Sequence, residues 1–222
     1  MKRLIAIDGP AGSGKSTMAR KLAKALHCLF IDTGAMYRAV TYYLIVNGID
    51  IDDRKALGHA LAAMKLELIT EDGQVKVLLA GKPVEDQIRS QPVDEKVSDV
   101  ARLPEVRNYL KEKQRSLALS QPSITEGRDV GTVILPEADL KIYLTAAPEI
   151  RAKRRWLQNR EKGLTVNLRE IQKNVLARDN LDTNREEAPL RLADDAHVLD
   201  TTSLTIEQVL TRLIALTEEE IG

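Results

Sequence analysis

The stretch that most constrains this chain is "LIAIDGPAGSGKST", Leu4 to Thr17. An apolar run leads into a loop almost free of side-chain bulk. A helical pattern follows over Lys15–Leu26, with Met18, Leu22, Ala25 and Leu26 on one side. Small residues let the backbone N–H groups of such a loop turn inward around an anion, where bulk would block it. The helix N-terminus adds about half a unit of positive charge at the same point. Gly9, Pro10, Ala11, Gly12, Ser13, Gly14, Lys15 and Ser16 fit the spacing G-x-x-x-x-G-K-[ST] in full, between a strand and a helix.

The anion that fits is the phosphate chain of a nucleoside triphosphate. Lys15 is expected to reach its β- and γ-phosphates, and the Ser16 hydroxyl to complete the shell of a Mg²⁺ ion. Asp8 and Glu126 both end expected core strands. Each reads equally as the support of a metal-bound water or as a packing or capping carboxylate.

Lys2–Ile7 reads as a buried strand and "CLFID", Cys28–Asp32, as a second, with helices over Lys15–Leu26 and Ala35–Val46. Strand, helix, strand is the unit of a parallel sheet. The middle departs from it. "LELITEDGQVKVLLAGKPV", Leu66–Val84, alternates on both sides of Asp72-Gly73, a hairpin signal. We expect an inserted subdomain near residues 36–103. "LPEVRNYLKEKQRSLAL" then predicts a long helix with Pro104 near its start. "SITEGRD" and "DLKIYLTA" return to strand character, Glu149–Arg160 and Leu168–Asn180 read as helices, "HVLDTT" as a last strand and Ile206–Leu216 as the closing helix. The expected fold is α/β: one domain over residues 1–222, three-layered and doubly wound, with a parallel sheet of five short core strands.

Lys plus Arg number 33 and Asp plus Glu number 33 in 222 residues, so no overall basic field draws the chain to nucleic acid or membrane. The single cysteine, Cys28, excludes an intramolecular disulfide and reads as a small buried apolar group. No apolar run is long enough for a signal peptide or a membrane span, so a cytoplasmic location is expected. His27, His59 and His197 lack metal-ligand spacing and read as structural.

Further constellations sit at strand ends. "DTGAMYR", Asp32–Arg38, and "EGRDVG", Glu126–Gly131, each follow a strand, and ligands of open α/β sheets bind at carboxyl ends. Thr33, Tyr37 and Arg38 should therefore share a crevice with the opening loop, and Arg128 beside Asp129 offers a phosphate clamp next to an acceptor. Arg151, Arg154 and Arg155 share a helix face. They form a solvated basic face, a lid over the transferring phosphoryl or a nucleic-acid patch, the last without aromatic platforms apart from Trp156. Trp156 reads as cover for the helix's apolar side. Arg178, Asp182 and Arg185 share a face if their helix continues, as an ion-pair stripe or a binding surface. Arg four residues before an acid is the weaker pairing order, which favours binding.

In this order, "IDGPAGSGKST", "DTGAMYR", "EGRDVGT" and "RDNLDTNREEAPL", with the hairpin insert between, resemble bacterial cytidylate kinases over nearly the whole chain. The resemblance implies a nucleoside monophosphate kinase type of P-loop fold, with an enlarged monophosphate-binding insert and a helical lid near residues 151–180. It implies transfer of the γ-phosphoryl of ATP to CMP or dCMP with Mg²⁺, by a monomer, with no nucleic-acid or membrane partner. By position, Gly9 to Thr17 would hold ATP, and Thr33, Tyr37 and Arg38 would surround the CMP ribose and phosphate. Arg128 and Arg185 would bind the phosphate and, with Lys15 and Arg154, form the catalytic set. Ser98, Arg107 and Asp129 would read cytosine, and Arg178 and Asp182 would hold the sugar. Two other readings use the same loop. A kinase of small alcohols such as shikimate would want an Asp base beside the hydroxyl. A nucleotide-dependent switch or ATPase would want a water-positioning residue and no second nucleotide pocket.

Overall fold

The computed structural model describes residues 3–161, 163 and 165–221. Its strands are β1 (Leu4–Asp8), β2 (Leu29–Asp32), β3 (Leu66–Glu71), β4 (Gln74–Leu79), β5 (Lys82–Pro83), β6 (Ser123–Glu126), β7 (Leu140–Thr145) and β8 (His197–Asp200). Lys2, expected to open the first strand, lies outside the described residues. One sheet runs β3-β4-β2-β6-β1-β7-β8, with β5 on β4. The expected five parallel core strands are β2, β6, β1, β7 and β8. Every residue of β1 and β6 is buried; β1 reads accordingly as an apolar run, whereas β6 buries the polar Ser123, Thr125 and Glu126 beside Ile124. Because β1 lies between β6 and β7, the loop leaving it opens where the chain's winding reverses, the crevice in which such sheets bind ligands.

The hairpin turns at Asp72-Gly73, whose φ values of 51° and 71° suit the tight turn that matches strand twist. It builds no separate sheet. β4 joins β2 through one parallel pairing, Phe30 with Gln74. The outer edge of β2 would otherwise present unpaired backbone groups, and the hairpin covers it.

The helices are α1 (Lys15–Leu26), α2 (Thr33–Val46), α3 (Arg54–Ala63), α4 (Gln91–Ala101), α5 (Pro104–Ser120), α6 (Pro148–Glu161), α7 (Leu168–Asn184) and α8 (Ile206–Ile221). α3 and α4 lie within residues 36–103, where Ala35–Val46 was the helix read from the pattern. α3 starts on Asp53, whose carboxylate accepts from the N–H groups of Lys55 and Ala56. α4 carries Pro92 in its first turn.

Alternate strand residues feed two cores. Ile5, Ile7, Phe30, Ile124, Ile142 and Leu144 meet α1 and α8, where Leu22 and Leu213 are fully buried. Ala6, Leu29 and Ile31 face α2, α3 and α5. Each fully buried large aliphatic side chain contributes ~1.5–3 kcal/mol, so the sheet sits between layers it cannot leave. α6 and α7 form a hairpin with its own small core of Ala152, Ile171 and Val175, against which Trp156 and Val166 pack. The Trp156 Nε1–H donates to the Val166 carbonyl at 3.2 Å, so its ring is packing, as its position on the helix suggested. No helix among the described residues is long and apolar enough to cross a membrane.

Candidate active site

Parallel register sets the site. Glu126 of β6 pairs with Ile7 of β1 and with Asp32 of β2, so the carboxyl ends of these strands stop level and Asp8, Asp32 and Glu126 share one rim. The loop over that rim needs its glycines at specific points. Gly9 has φ 144°, and a Cβ there would stand 2.0 Å from the Leu144 carbonyl oxygen. Gly9→Ala must therefore push β7 away, at a cost of ~3 kcal/mol or more, and should lower the thermal unfolding midpoint by roughly 6–12 °C. An unchanged midpoint in a calorimetric scan would show that the loop is not clamped against β7. Gly14 precedes α1 at φ 97° and supplies no side-chain cap, so the first N–H groups of α1 stay directed toward the loop.

Lys15 is buried, and its Nζ donates to the Pro10 carbonyl at 2.8 Å. Burial lowers its pKa to about 7, helped by Arg128 and opposed by Glu126 and Asp8. Glu126 moves the other way, up to about 7, through burial and the nearby Asp32 carboxylate. The Ser16 hydroxyl donates to Glu126 Oε1 at 2.5 Å. Asp8 accepts from the backbone N–H groups of Val130 at 2.9 Å and Gly131 at 2.7 Å, capping the wide helical turn Val130–Ile134. Burial still raises its pKa to about 6. Thr17 is exposed at the start of α1.

A second cluster lies at the ends of β2 and β6. Asp129 is buried between two arginines: Arg107 pairs with Oδ2, and Arg185 Nη2 lies 3.1 Å from Oδ1. The Arg107 guanidinium also stands 5.5 Å from the centre of the Tyr37 ring. Burial lifts the Tyr37 phenol to about 12, so it is protonated at neutral pH. Arg128 Nε donates to Asp182 Oδ2 at 2.8 Å. Burial opposes both charges, and their mutual attraction outweighs it, raising Arg128 and lowering Asp182. Arg178 has its pKa lowered to about 10 by burial and by Arg128, and its Nε has no hydrogen-bond partner among the described residues. α7 does continue through this segment to Asn184, and Arg185 follows as its C-cap. Thr33 is buried beside the cluster, its hydroxyl donating to the Glu126 carbonyl at 2.7 Å. Arg38 donates to the Ile88 carbonyl at 3.2 Å. Ser98 is half-buried on α4.

The α6 arginines do not form a solvated face. Arg151 is 4% exposed, with hydrogen bonds to the carbonyls of Ala146 at 2.9 Å and Ala11 at 3.0 Å and an ion pair with Asp179 at 2.7 Å. Arg154 donates to the Thr201 carbonyl at 2.7 Å, to the Thr201 hydroxyl at 2.9 Å and to the Ser13 carbonyl at 3.3 Å. Both therefore grip the glycine-rich loop. Arg155 turns the other way, onto Asp94 of the insert at 2.6 Å.

Three residues of this region went unnoticed in the sequence. Thr201 directly follows β8, and its hydroxyl donates to the Thr145 carbonyl of β7 at 3.0 Å. Asp179 neutralises Arg151, and Asp94 neutralises Arg38 and Arg155. Their only signal was the arginine count itself, since buried cations need acids nearby.

A family model described as cytidylate kinase matches residues 5–219. Curated relatives bear the same name. The cytidylate kinase of Alkaliphilus oremlandii (strain OhILAs) is 47% identical over 212 residues, covering 96% of each chain. That of Corynebacterium efficiens is 46% identical and covers 97% of this chain and 94% of its own. That of Halalkalibacterium halodurans is 43% identical over 222 residues, the whole of both chains. Among solved structures, the shikimate kinase from Acinetobacter baumannii in complex with shikimate aligns over 100% of this chain and 97% of its own, at 16% identity and a TM-score of 0.45. That likeness is too remote to bear on the substrate.

Proposed function

The chain belongs to the cytidylate kinase family, and on that premise we propose that it transfers the γ-phosphoryl of ATP to CMP or dCMP, giving ADP and CDP or dCDP. The observation that carries the reading is the meeting of two anion sites on one rim: the loop with Lys15 and Ser16, and the cluster of Arg128, Arg178 and Arg185 around Asp182 and Asp129. A switch or ATPase has no use for the second.

The acceptor is a phosphate oxygen, already largely ionised near pH 7 because its second pKa is about 6. No general base is needed. The protein must instead hold two polyanions together and in line. Lys15 holds the β- and γ-phosphates at the loop Gly9 to Thr17, whose backbone N–H groups, Pro10 having none, surround them, and Arg154 flanks the loop from α6. Arg128 and Arg185 hold the acceptor phosphate with Arg38, beside Thr33 and Tyr37. Arg178 and Asp182 take the sugar, while Ser98, Arg107 and Asp129 face the base. Residues 36–103 would serve as the monophosphate-binding insert and 151–180 as the lid, which closes the site to water.

Mg²⁺ suits the oxygen donors at this rim. Among the described residues no three His, Cys, Asp or Glu side chains form a metal cage, and Mg²⁺ wants only one or two protein oxygens together with phosphates. Ser16 and Glu126 would hold it, because both oxygens of Asp8 are already engaged by backbone N–H groups. When bound, it neutralises charge on the transferring phosphates. The chain is proposed to act as a cytoplasmic monomer on free nucleotides, and its balanced charge gives no overall field toward nucleic acid or membrane.

A coupled ADP-release assay across CMP, dCMP, UMP, AMP, GMP, dTMP and shikimate tests the proposal. ADP should appear strictly on addition of a monophosphate, fastest with CMP or dCMP. Turnover on shikimate, or release independent of any acceptor, would overturn it.

A further inference from the structure

Each arginine pair in the acceptor cluster has an acid assigned a place in the reading above, except one. Asp94, on α4, contacts cations from two other elements: Arg38 Nη1 of α2 lies 2.6 Å from its Oδ1, and Arg155 Nη2 of α6 donates to its Oδ2 at 2.6 Å. Its charge also reaches Arg178 of α7. Helices from the insert, the central sheet and the α6–α7 hairpin thus meet on one carboxylate.

This contact differs in kind from the others. The Asp129–Arg185 pair is 7% and 5% exposed at its side chains, whereas Asp94 is 28% and Arg155 38% exposed, so water and solutes reach the latter. Asp94 Oδ1 is itself shielded yet accepts no hydrogen bond among the described residues, so its approach to Arg38 is a meeting of charges without a directed bond. Arg178 Nε, nearby, also lacks an acceptor. One carboxylate thus neutralises cations from several helices while accepting a hydrogen bond from only one of them, Arg155. A phosphate, with nearly twice the charge and three acceptor oxygens, is the better counter-ion for the same guanidinium groups.

We propose that Asp94 is an internal stand-in for the acceptor's phosphate: it neutralises Arg38 and Arg155 before substrate arrives, and the phosphate of the monophosphate displaces it. The inference rests on the reading that Arg38 binds that phosphate. Displacement also frees Arg155, which sits on the helix whose Arg151 and Arg154 grip the glycine-rich loop. Filling of the acceptor site is thereby felt at the donor site. Asp94 is on this account a positioning residue and a competitor, with no part in the chemistry.

Its sign distinguishes it from a merely supporting role. If Asp94 only held Arg38 in a binding-ready pose, removing its charge would weaken substrate binding. If it competes, removal strengthens binding. Asp94→Asn keeps the shape and removes the charge. We expect it to lower both the KM and the directly measured Kd for CMP by ~2–5-fold, the scale of a partly exposed ion pair. The inhibition constant of cytidine, which has no phosphate, should not move, and Asp94→Glu should restore the parental CMP affinity. Unchanged or weaker CMP binding in Asp94→Asn overturns the proposal, as does equal tightening of cytidine. Arg38→Ala in the parent background separates the two layers. If it leaves CMP affinity intact, the assignment of Arg38 fails and this inference with it. If it weakens CMP while Asp94→Asn does not tighten it, only the role of Asp94 is wrong.

Discussion

Lys15→Ala should lower kcat by ~10²–10³-fold or more while leaving the fold intact, because it removes a fixed charge aimed at the transferring phosphate. The burial of Lys15 makes the structural half of this expectation firm. Its charge is held at an energetic disadvantage, with a pKa lowered to about 7, so its loss relieves a desolvated cation rather than breaking a favourable pair. The hydrogen bond to the buried Pro10 carbonyl is lost, at a cost of ~1–3 kcal/mol that the relief of the buried cation offsets. Lys15 also holds Glu126 down, so the Glu126 carboxyl, already raised to about 7 by burial and Asp32, moves further up in the variant. Steady-state and single-turnover rates beside a thermal melt check both halves. Activity within a few-fold of the parent would remove Lys15 from the catalytic set.

The second large effect concerns the base. Cytosine offers an exocyclic amino donor where uracil offers a carbonyl, and an ionised carboxylate accepts only. Asp129 therefore suits cytosine and repels uracil. The structure decides which substitution tests this. Asp129 neutralises both Arg107 and Arg185 at buried side chains. Alanine would strand two guanidinium groups at a cost of ~3–5 kcal/mol, and lost activity would then report misfolding. Asp129→Asn keeps the volume and an acceptor oxygen while adding a donor that uracil's carbonyl can use. We expect kcat/KM for CMP to fall ~10²-fold and that for UMP far less. The ratio between them narrows from a ceiling that such hydrogen-bonding sites can set near ~10⁴. Comparing kcat/KM for both nucleotides, with folding verified by circular dichroism, measures it. A CMP to UMP preference that survives undiminished would pass base reading from Asp129 to the insert.

What the sequence determined by itself lies in local physics. The loop Gly9–Ser16 needs its residues in one order, because phosphate-sized space, inward N–H groups and a helix start must occur within a few bonds of one another. β1 was equally legible, since burial on both faces demands an unbroken apolar run, while β8 at the sheet's edge, with Val198 exposed, is not held to that rule. The turn at Asp72-Gly73 was legible from its left-handed residues. α3 and α4 escaped notice although Leu57, Ala60 and Leu61, and Val93, Val97 and Val100, stand at helical spacing and are buried. Tertiary structure alone decided that the hairpin caps the edge of β2 and that Glu126, not Asp8, faces Ser16. It also decided that Arg151 and Arg154 turn onto the loop while Arg155 turns onto Asp94. Helical spacing puts these arginines on one face but says nothing of what stands opposite. The partners lie 61 to 141 residues away along the chain, and only strand register and helix packing bring such groups within bonding distance.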